Sequence, residues 1–364
     1  MTQPAPHVAE LNWRGGLRSL THEHGFEPLE LFGTIPEELM GTLVRNGASV
    51  YDRFDMTYEH LFDGDGAVSA IRIAHGRAEG AVRVVRSRDL ELEEARGERI
   101  FGTFGTRPPK WGTALRHGVL KNSANTNVIA WQGRLLALCE SHGPTELSMH
   151  DLGTLGDTDL GGVVQQSVTA HPHRVHGDAA TYAFGMRYGL RTHVDLYRLP
   201  DSGRAEHLGA VRLSGPTPLH DYALTPSHFV FVCHPLRVDA VSVALGLKAP
   251  ASAIRWDSRA ATEIVIVDRS DVGRVRRYEI NAFFSYHAVN AYEEGHCTVV
   301  DLVCFPSWDT DLRLATWRSV GSSIASEGTL KRLRIDHQSG RVTLETLAQT
   351  SCEFPRVSPS VDGH

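Results

Sequence analysis

The sequence predicts an all-β protein with a few short helices, built from short antiparallel strands as a sandwich or a propeller. Three observations carry this reading: repeated runs of alternating apolar residues, turns rich in Gly, Asp and Ser between them, and a scarcity of helical periodicity. "AVSAIRIAHGRAEGAVRVVRS" (67–87) reads as two strands about a glycine turn. "NVIAWQGRLLALCES" repeats the design about Gln132-Gly133. "HFVFVCHPLRV", "TEIVIVDRSDVGRVRRYEI", "CTVVDLVCF" and "TLKRLRIDHQSGRVTLETL" continue it. Helix is expected only in "EPLELFGTIPEEL" and in part of 238–254. No Pro/Ser-rich linker interrupts the pattern, so a single domain over 1–364 is expected. No Trp-Asp or other strict repeat marks off blades, and periodicity by itself leaves sandwich and propeller both open.

Composition narrows the function. With 364 residues, 41% of them hydrophobic, the chain can bury a sizeable core. A net charge of −6 without any basic block argues against nucleic acid as a partner. The start, "MTQPAPHVAELNWRGG", lacks the apolar core of a secretory signal, and no uncharged apolar run matches a bilayer span. Five cysteines form no CxxC pair, so reduced thiols in a cytoplasm are the expectation.

Among 20 histidines, three stand in similar settings. "FFSYHAVNAYEEG" (283–295) sets His287 in an apolar and aromatic run. "SVTAHPHRVHGD" ends an apolar stretch at His171, and "GPTPLHDYALT" opens a strand-like run at His220. A core histidine is most often just hydrogen-bonded to a nearby carbonyl, so spacing makes a three-histidine metal site the minority reading. His173, His176, His193, His207, His228 and His234 read as surface or capping residues. No HExxH and no compact Cys/His cluster points to zinc. Asp63 and Asp65 in "FDGDG" read as a tight hairpin turn. Asn125, Thr126 and Asn127 read as a turn held by side chains, and Glu293 and Glu294 as structural.

The ordered set "GTLVRNGAS", "LFDGDGAV", "IFGTFGTRPP", "LKNSANTNVIAWQGRLLALCE", "TAHPH", "LHDYALT", "YHAVNAYEEG", "GTLKRLRID" and "EFPRV" closely resembles the carotenoid cleavage oxygenases. The block "FGTRPPKWGTALRHGVLKNSANTNV" is most similar to the bacterial apocarotenoid oxygenases. The resemblance runs from about residue 26 to residue 356. It implies a seven-bladed β-propeller whose axis carries one iron(II) per subunit, held by four histidines. His171, His220 and His287 match the first three ligands. Neutral imidazoles hold iron(II) without adding charge and leave positions open for dioxygen. If the three share one ion at about 2.1 Å, their nitrogens lie roughly 3–4 Å apart. Glutamates that accept the histidines' other N–H groups match Glu140 and Glu353, and Thr126 is a candidate for approaching the metal.

The implied reaction inserts both atoms of dioxygen across a polyene double bond and yields two carbonyl products. No nicotinamide or flavin motif accompanies it. Phe283, Phe284 and Tyr286 are candidates for lining the polyene tunnel, with aromatic core packing as the commoner fate. Stilbene-cleaving members read a phenol with a Tyr and Lys pair. Lys121 matches that Lys, but Val84 and Val85 stand where a Tyr is expected, so an apocarotenoid is the better fit. A substrate this apolar partitions into membranes. The stretch "VDAVSVALGLKAPASAI" (238–254) is therefore expected to make a peripheral contact with a membrane's inner face, a buried helix being the alternative. Members of the family continue beyond the point matched by "EFPRVSPSVDGH". The resemblance implies that this continuation carries the fourth histidine, a third glutamate and the strands closing the last blade. The expectation is thus a C-terminally truncated propeller with an incomplete last blade and weak iron retention. A non-catalytic binding scaffold and a calcium-dependent propeller hydrolase are the alternatives from other classes.

Overall fold

Five antiparallel sheets, laid out in chain order, dominate this computed structural model, which describes residues 18–110, 112, 118–189, 191–308 and 328–364. The first sheet orders His24–Pro28, Arg77–Val84, Asp65–Ala74 and Gly41–Val50. The second orders Thr154–Asp157, Thr145–Leu147, Arg134–Leu138 and Asn127–Trp131, and the third Ala180–Arg187, His193–Pro200 and Glu206–Arg212. The fourth holds Ala223–Leu224, His228–Cys233, Thr262–Asp268 and Val275–Ile280. The fifth holds Phe284–Glu294, Cys297–Phe305, Thr329–Asp336 and Val342–Ser351. The all-β expectation is met. Part of the "FGTRPPKWGTALRHGV" block, residues 111 and 113–117, lies outside the described residues.

Local sequence explains the hairpins. His75-Gly76 and Gln132-Gly133 both take positive φ (50° and 68°; 48° and 74°), the paired left-handed geometry of a two-residue turn whose twist suits the flanking strands. Two expectations need correction. "HFVFVCHPLRV" is not a hairpin: His228–Cys233 pairs with Thr262–Asp268, and Leu236–Val238 pairs instead with Ile254–Trp256. "EPLELFGTIPEEL" forms no helix. Pro28 and Pro36 remove backbone donors, Gly33 sits at φ 98°, and Leu31 and Phe32 are exposed, so no apolar face is buried to drive helix formation. The helix Arg88–Arg96 was not expected, although its ends are signposted. Ser87 accepts from the Leu90 N–H, Asp89 and Glu91 lie in the first turn, and Gly97 closes it in the left-handed region.

The sheets stack face to face in sequence order, and this is why central strands read as unbroken apolar runs. Successive side chains point to opposite faces of a strand. Leu135 and Ala137 pack toward Val68 and Ala81 of the first sheet, while Leu136 and Leu138 pack toward Tyr197 and Leu199 of the third. Likewise Phe229 and Phe231 join Phe184 and Val194, whereas Val230 and Val232 join Val300 and Leu333. Stacking brings the leading ends of the third, fourth and fifth sheets together. His171 lies just ahead of the third sheet, His220 just ahead of the fourth, and His287 within the leading strand of the fifth.

"FDGDG" is also not a hairpin turn. Leu61–Asp63 is a single 3-10 turn, and the Asp63 carboxylate, fully buried, accepts from the Gly105 N–H (2.8 Å) and the Thr106 hydroxyl (2.5 Å). Asp65 is buried as well and pairs with Arg53 (2.7 Å) and Lys121 (2.5 Å). Lys121, with no exposed side-chain surface, also meets Glu93 (2.7 Å) and the Tyr58 hydroxyl (3.1 Å). The glycines allow this approach: a Cβ on Gly66 would lie 2.1 Å from the Ala124 carbonyl oxygen. Breaking a buried ion cluster by removing one partner strands the other charges. Lys121→Met is expected to lower the unfolding free energy by about 3–5 kcal/mol, read from urea denaturation.

Candidate metal centre

Three imidazoles converge where the sheets' leading ends meet. One ring nitrogen from each of His171, His220 and His287 lies within 4.8 Å of the others, and the three ring centroids are 4.5–4.9 Å apart. The closest pair, His220 Nε2 and His287 Nε2, is separated by 3.1 Å. The group is slightly wider than bonds of about 2.1 Å at right angles require.

The outward nitrogens decide the tautomers. His220 Nδ1 is paired with the Glu140 carboxylate, and His287 Nδ1 lies 2.7 Å from Glu353 Oε2. A proton held on each Nδ1 by a carboxylate leaves Nε2 with a lone pair aimed inward. Two such lone pairs facing each other at 3.1 Å repel unless a proton or a cation lies between them. His171 adds a third: its Nε2 is buried and has no hydrogen-bond partner. Burial, reinforced by His220, holds the His171 pKa well below the usual imidazole value and keeps the ring neutral. Burial also opposes charge on His220, but the Glu140 carboxylate outweighs it and raises that pKa. A neutral three-imidazole donor set backed by two carboxylates fits a divalent transition metal such as iron.

The backbone holding these rings is cross-linked. The Thr169 hydroxyl accepts the His171 N–H (3.0 Å) and reaches the His220 carbonyl (3.4 Å). Asn127 Nδ2 donates to the carbonyl of Ala170 (2.7 Å). Asn125 Nδ2 donates to the carbonyls of Phe62 and Gly64 (2.8 and 2.7 Å). These asparagines bridge different sheets and do more than shape their own turn. Thr126 immediately precedes the strand Asn127–Trp131 and donates its hydroxyl to Asn125 Oδ1 (3.1 Å). His173, read from sequence as background, is drawn into the centre: its Nε2 lies 2.8 Å from Asp221 Oδ1. Burial would raise the Asp221 pKa, but His173 outweighs it and holds the carboxyl far below its usual range. Nothing marked Asp221 beforehand; the only local sign was the adjacent His-Asp pair in "LHDYALT".

The aromatic residues divide. Tyr286 meets the His220 ring edge-on (centroids 5.8 Å) and packs with Phe284, Phe305 and Trp308. Phe283 turns the other way, into the core between the fourth and fifth sheets. Phe354, 80% exposed, lies over His287 (5.3 Å) with its backbone at φ 53°, a conformation rare outside glycine. Glu293 and Glu294 face away from the centre: Glu293 holds His228 (3.0 Å) and Thr225, and Glu294 pairs with Arg334. Lys121 has a tyrosine after all, Tyr58, but both are enclosed in the carboxylate cluster described above.

Fold and site together set a three-histidine cluster compatible with iron on an all-β scaffold. The family described as retinal pigment epithelial membrane protein matches residues 17–364, and the chain belongs to this family of carotenoid cleavage oxygenases, which are non-haem iron enzymes. The apocarotenoid-15,15'-oxygenase of a Synechocystis species is 30% identical over 367 residues, which cover 97% of this chain and 74% of that protein. The crystal structure of its cobalt-substituted form superposes with a TM-score of 0.86 at 30% identity, covering 96% of this chain and 75% of the other. Resveratrol cleavage oxygenase 1 of Chaetomium globosum is 40% identical over 149 residues, 40% of this chain and 24% of that protein. Among the described residues, no helix is long and apolar enough to cross a membrane.

Metal must displace protons from these rings. Because Glu140 raises the His220 pKa, protons compete with metal up to a higher pH than at an ordinary histidine. Metal affinity is expected to fall as pH drops through neutrality. Glu140→Gln should lower affinity roughly 10–100-fold at alkaline pH. It should also move the fall to lower pH, narrowing the gap to wild type under acid conditions. Cobalt(II) titrations at several pH values check both.

Proposed function

We propose that this protein is an iron(II)-dependent oxygenase that cleaves a conjugated C=C bond of an apocarotenoid with dioxygen, giving two carbonyl products. The observation that carries the reading is the convergence of three imidazole nitrogens, His287 buried and His171 and His220 half-buried, with two of the rings' far sides fixed by carboxylates. His171, His220 and His287 hold one iron per subunit, and Glu140 and Glu353 keep two of these rings in the ligating tautomer. Bound there, iron(II) supplies dioxygen activation. The chain's own part is to orient and desolvate: Tyr286 and Phe354 offer aromatic faces beside the rings for a flat polyene, Phe284 backs Tyr286 from within the aromatic cluster, and Thr126, just ahead of the second sheet, would lie near the bound metal. Phe283 contributes to the tunnel only from behind, through the core it fills.

The scaffold is a seven-bladed propeller, five of whose blades correspond to the five sheets. Among 238–254, two short helices, Ala240–Ala244 and Pro250–Ala253, leave Val241 (70%) and Leu247 (51%) exposed. These apolar side chains seat the protein peripherally on the inner face of a membrane, from which the substrate is drawn.

A stilbene substrate is the second reading, favoured by the similarity to the resveratrol-cleaving enzyme. The enclosure of Lys121 and Tyr58 by Asp65 and Glu93 speaks against it, because a phenol would have to displace a buried carboxylate. The test is direct. The iron-loaded chain is supplied with an apocarotenal or resveratrol under labelled dioxygen, and aldehydes are resolved by chromatography and mass spectrometry. Two labelled carbonyl products from the apocarotenal, lost in His287→Ala, are expected. Faster turnover of resveratrol would select the second reading, and folded protein that takes up no iron would favour a binding scaffold.

A further inference from the structure

The carboxylate of Asp221 touches all three histidine-bearing segments. Its Oδ1 accepts from His173 Nε2 (2.8 Å), and His173 lies two residues past His171. The same oxygen accepts from the Tyr222 N–H (2.8 Å), which locks the turn just after His220. Its Oδ2 accepts from the Ala288 N–H (2.9 Å), the residue following His287. The side chain is 4% exposed, so these bonds form away from bulk water, where each is strong and costly to lose. The leading strand of the fifth sheet is irregular here, with register shifts either side of Ala288. The Ala288 N–H is thereby directed to Asp221.

We infer that Asp221 is a positioning residue for the metal, fixing the mutual placement of His171, His220 and His287 through backbone and ring contacts without itself being a ligand. The inference rests on the proposed three-histidine centre. Three ligands carried on three separate sheets must agree within a few tenths of an ångström for an ion to bind all of them. Glu140 and Glu353 set ring rotation and tautomer, and neither touches the backbone of the other histidine segments. Asp221 does, and a carboxylate has two oxygens, the number needed to serve both directions at once. Asparagine keeps its size but has one acceptor oxygen, so it satisfies one side and turns an N–H₂ toward a donor on the other.

Cobalt(II) serves as the probe, since its visible spectrum reports coordination number and symmetry independently of turnover. Wild type, Asp221→Asn, His173→Gln, His287→Ala and a core control, Val265→Ala, are titrated as the full 364-residue chain, with thermal melting followed in parallel. Val265 is fully buried in the core between the third and fourth sheets and is not one of the residues that form the centre. Asp221→Asn is expected to weaken cobalt binding roughly 10–100-fold and to change the bound spectrum. His173→Gln should give a smaller shift in the same direction, and Val265→Ala should lower the melting temperature with cobalt affinity and spectrum unchanged. Steady-state turnover should show a reduced kcat with little change in KM. Wild-type affinity and spectrum in Asp221→Asn would overturn the inference. So would an equal loss in Val265→Ala, which would reduce Asp221 to a general stabiliser. Cobalt binding undiminished in His287→Ala would instead sink the three-histidine centre itself.

Discussion

Two imidazole nitrogens held 3.1 Å apart, each with its other nitrogen committed to a carboxylate, form an arrangement that proteins do not keep without a reason. Lone pairs pointed at one another repel, and a buried nitrogen without a partner, such as His171 Nε2, adds the cost of lost hydration. A cation shared by the three rings removes both penalties. The carboxylates, the backbone cross-links and the stacking of sheets together hold that geometry.

Charge balance agrees. Three neutral imidazoles contribute nothing, while Glu140 and Glu353 bring two negative charges close behind the rings, matching a divalent ion. Asp221 is compensated separately by His173, whose pKa is raised against the effect of burial by that carboxylate. With a divalent metal bound, the centre would be near neutral. Precision comes from the fold: the leading ends of three sheets meet because consecutive sheets bury both faces of their central strands. A slip of one residue in His228–Cys233 would exchange Phe229 for Val230 between two cores, so register is tightly specified.

Much of this was legible in the chain. Gln132-Gly133 and His75-Gly76 announce their hairpins because only a few residue types tolerate positive φ. The runs at 228–233 and 262–268 announce buried strands because both faces are covered. Glu140, two residues past an apolar strand, and the three histidines were found through ordered motifs of the family, since histidine spacing by itself is uninformative. Other features were not legible. "HFVFVCHPLRV" looks like a hairpin, yet its halves join different partners, because pairing is decided by which sheet lies alongside. "FDGDG" looks like a turn, and the approach of Lys121 from far along the chain, beside Arg53, makes Asp65 part of a buried ion cluster.

What the sequence by itself determined is whatever depends on neighbours a few residues apart: strand alternation, turn conformations, helix caps at Ser87 and Gly97, and the family's local motifs. Tertiary structure decided what depends on convergence from distant segments. It selected His173 from the background histidines, enclosed Tyr58 with Lys121, sent Phe283 into a core while Tyr286 met the His220 ring, and joined three segments at Asp221. The physical reason is range. A dihedral preference acts within a turn, whereas a hydrogen bond or ion pair acts over about 3 Å in space without regard to separation along the chain.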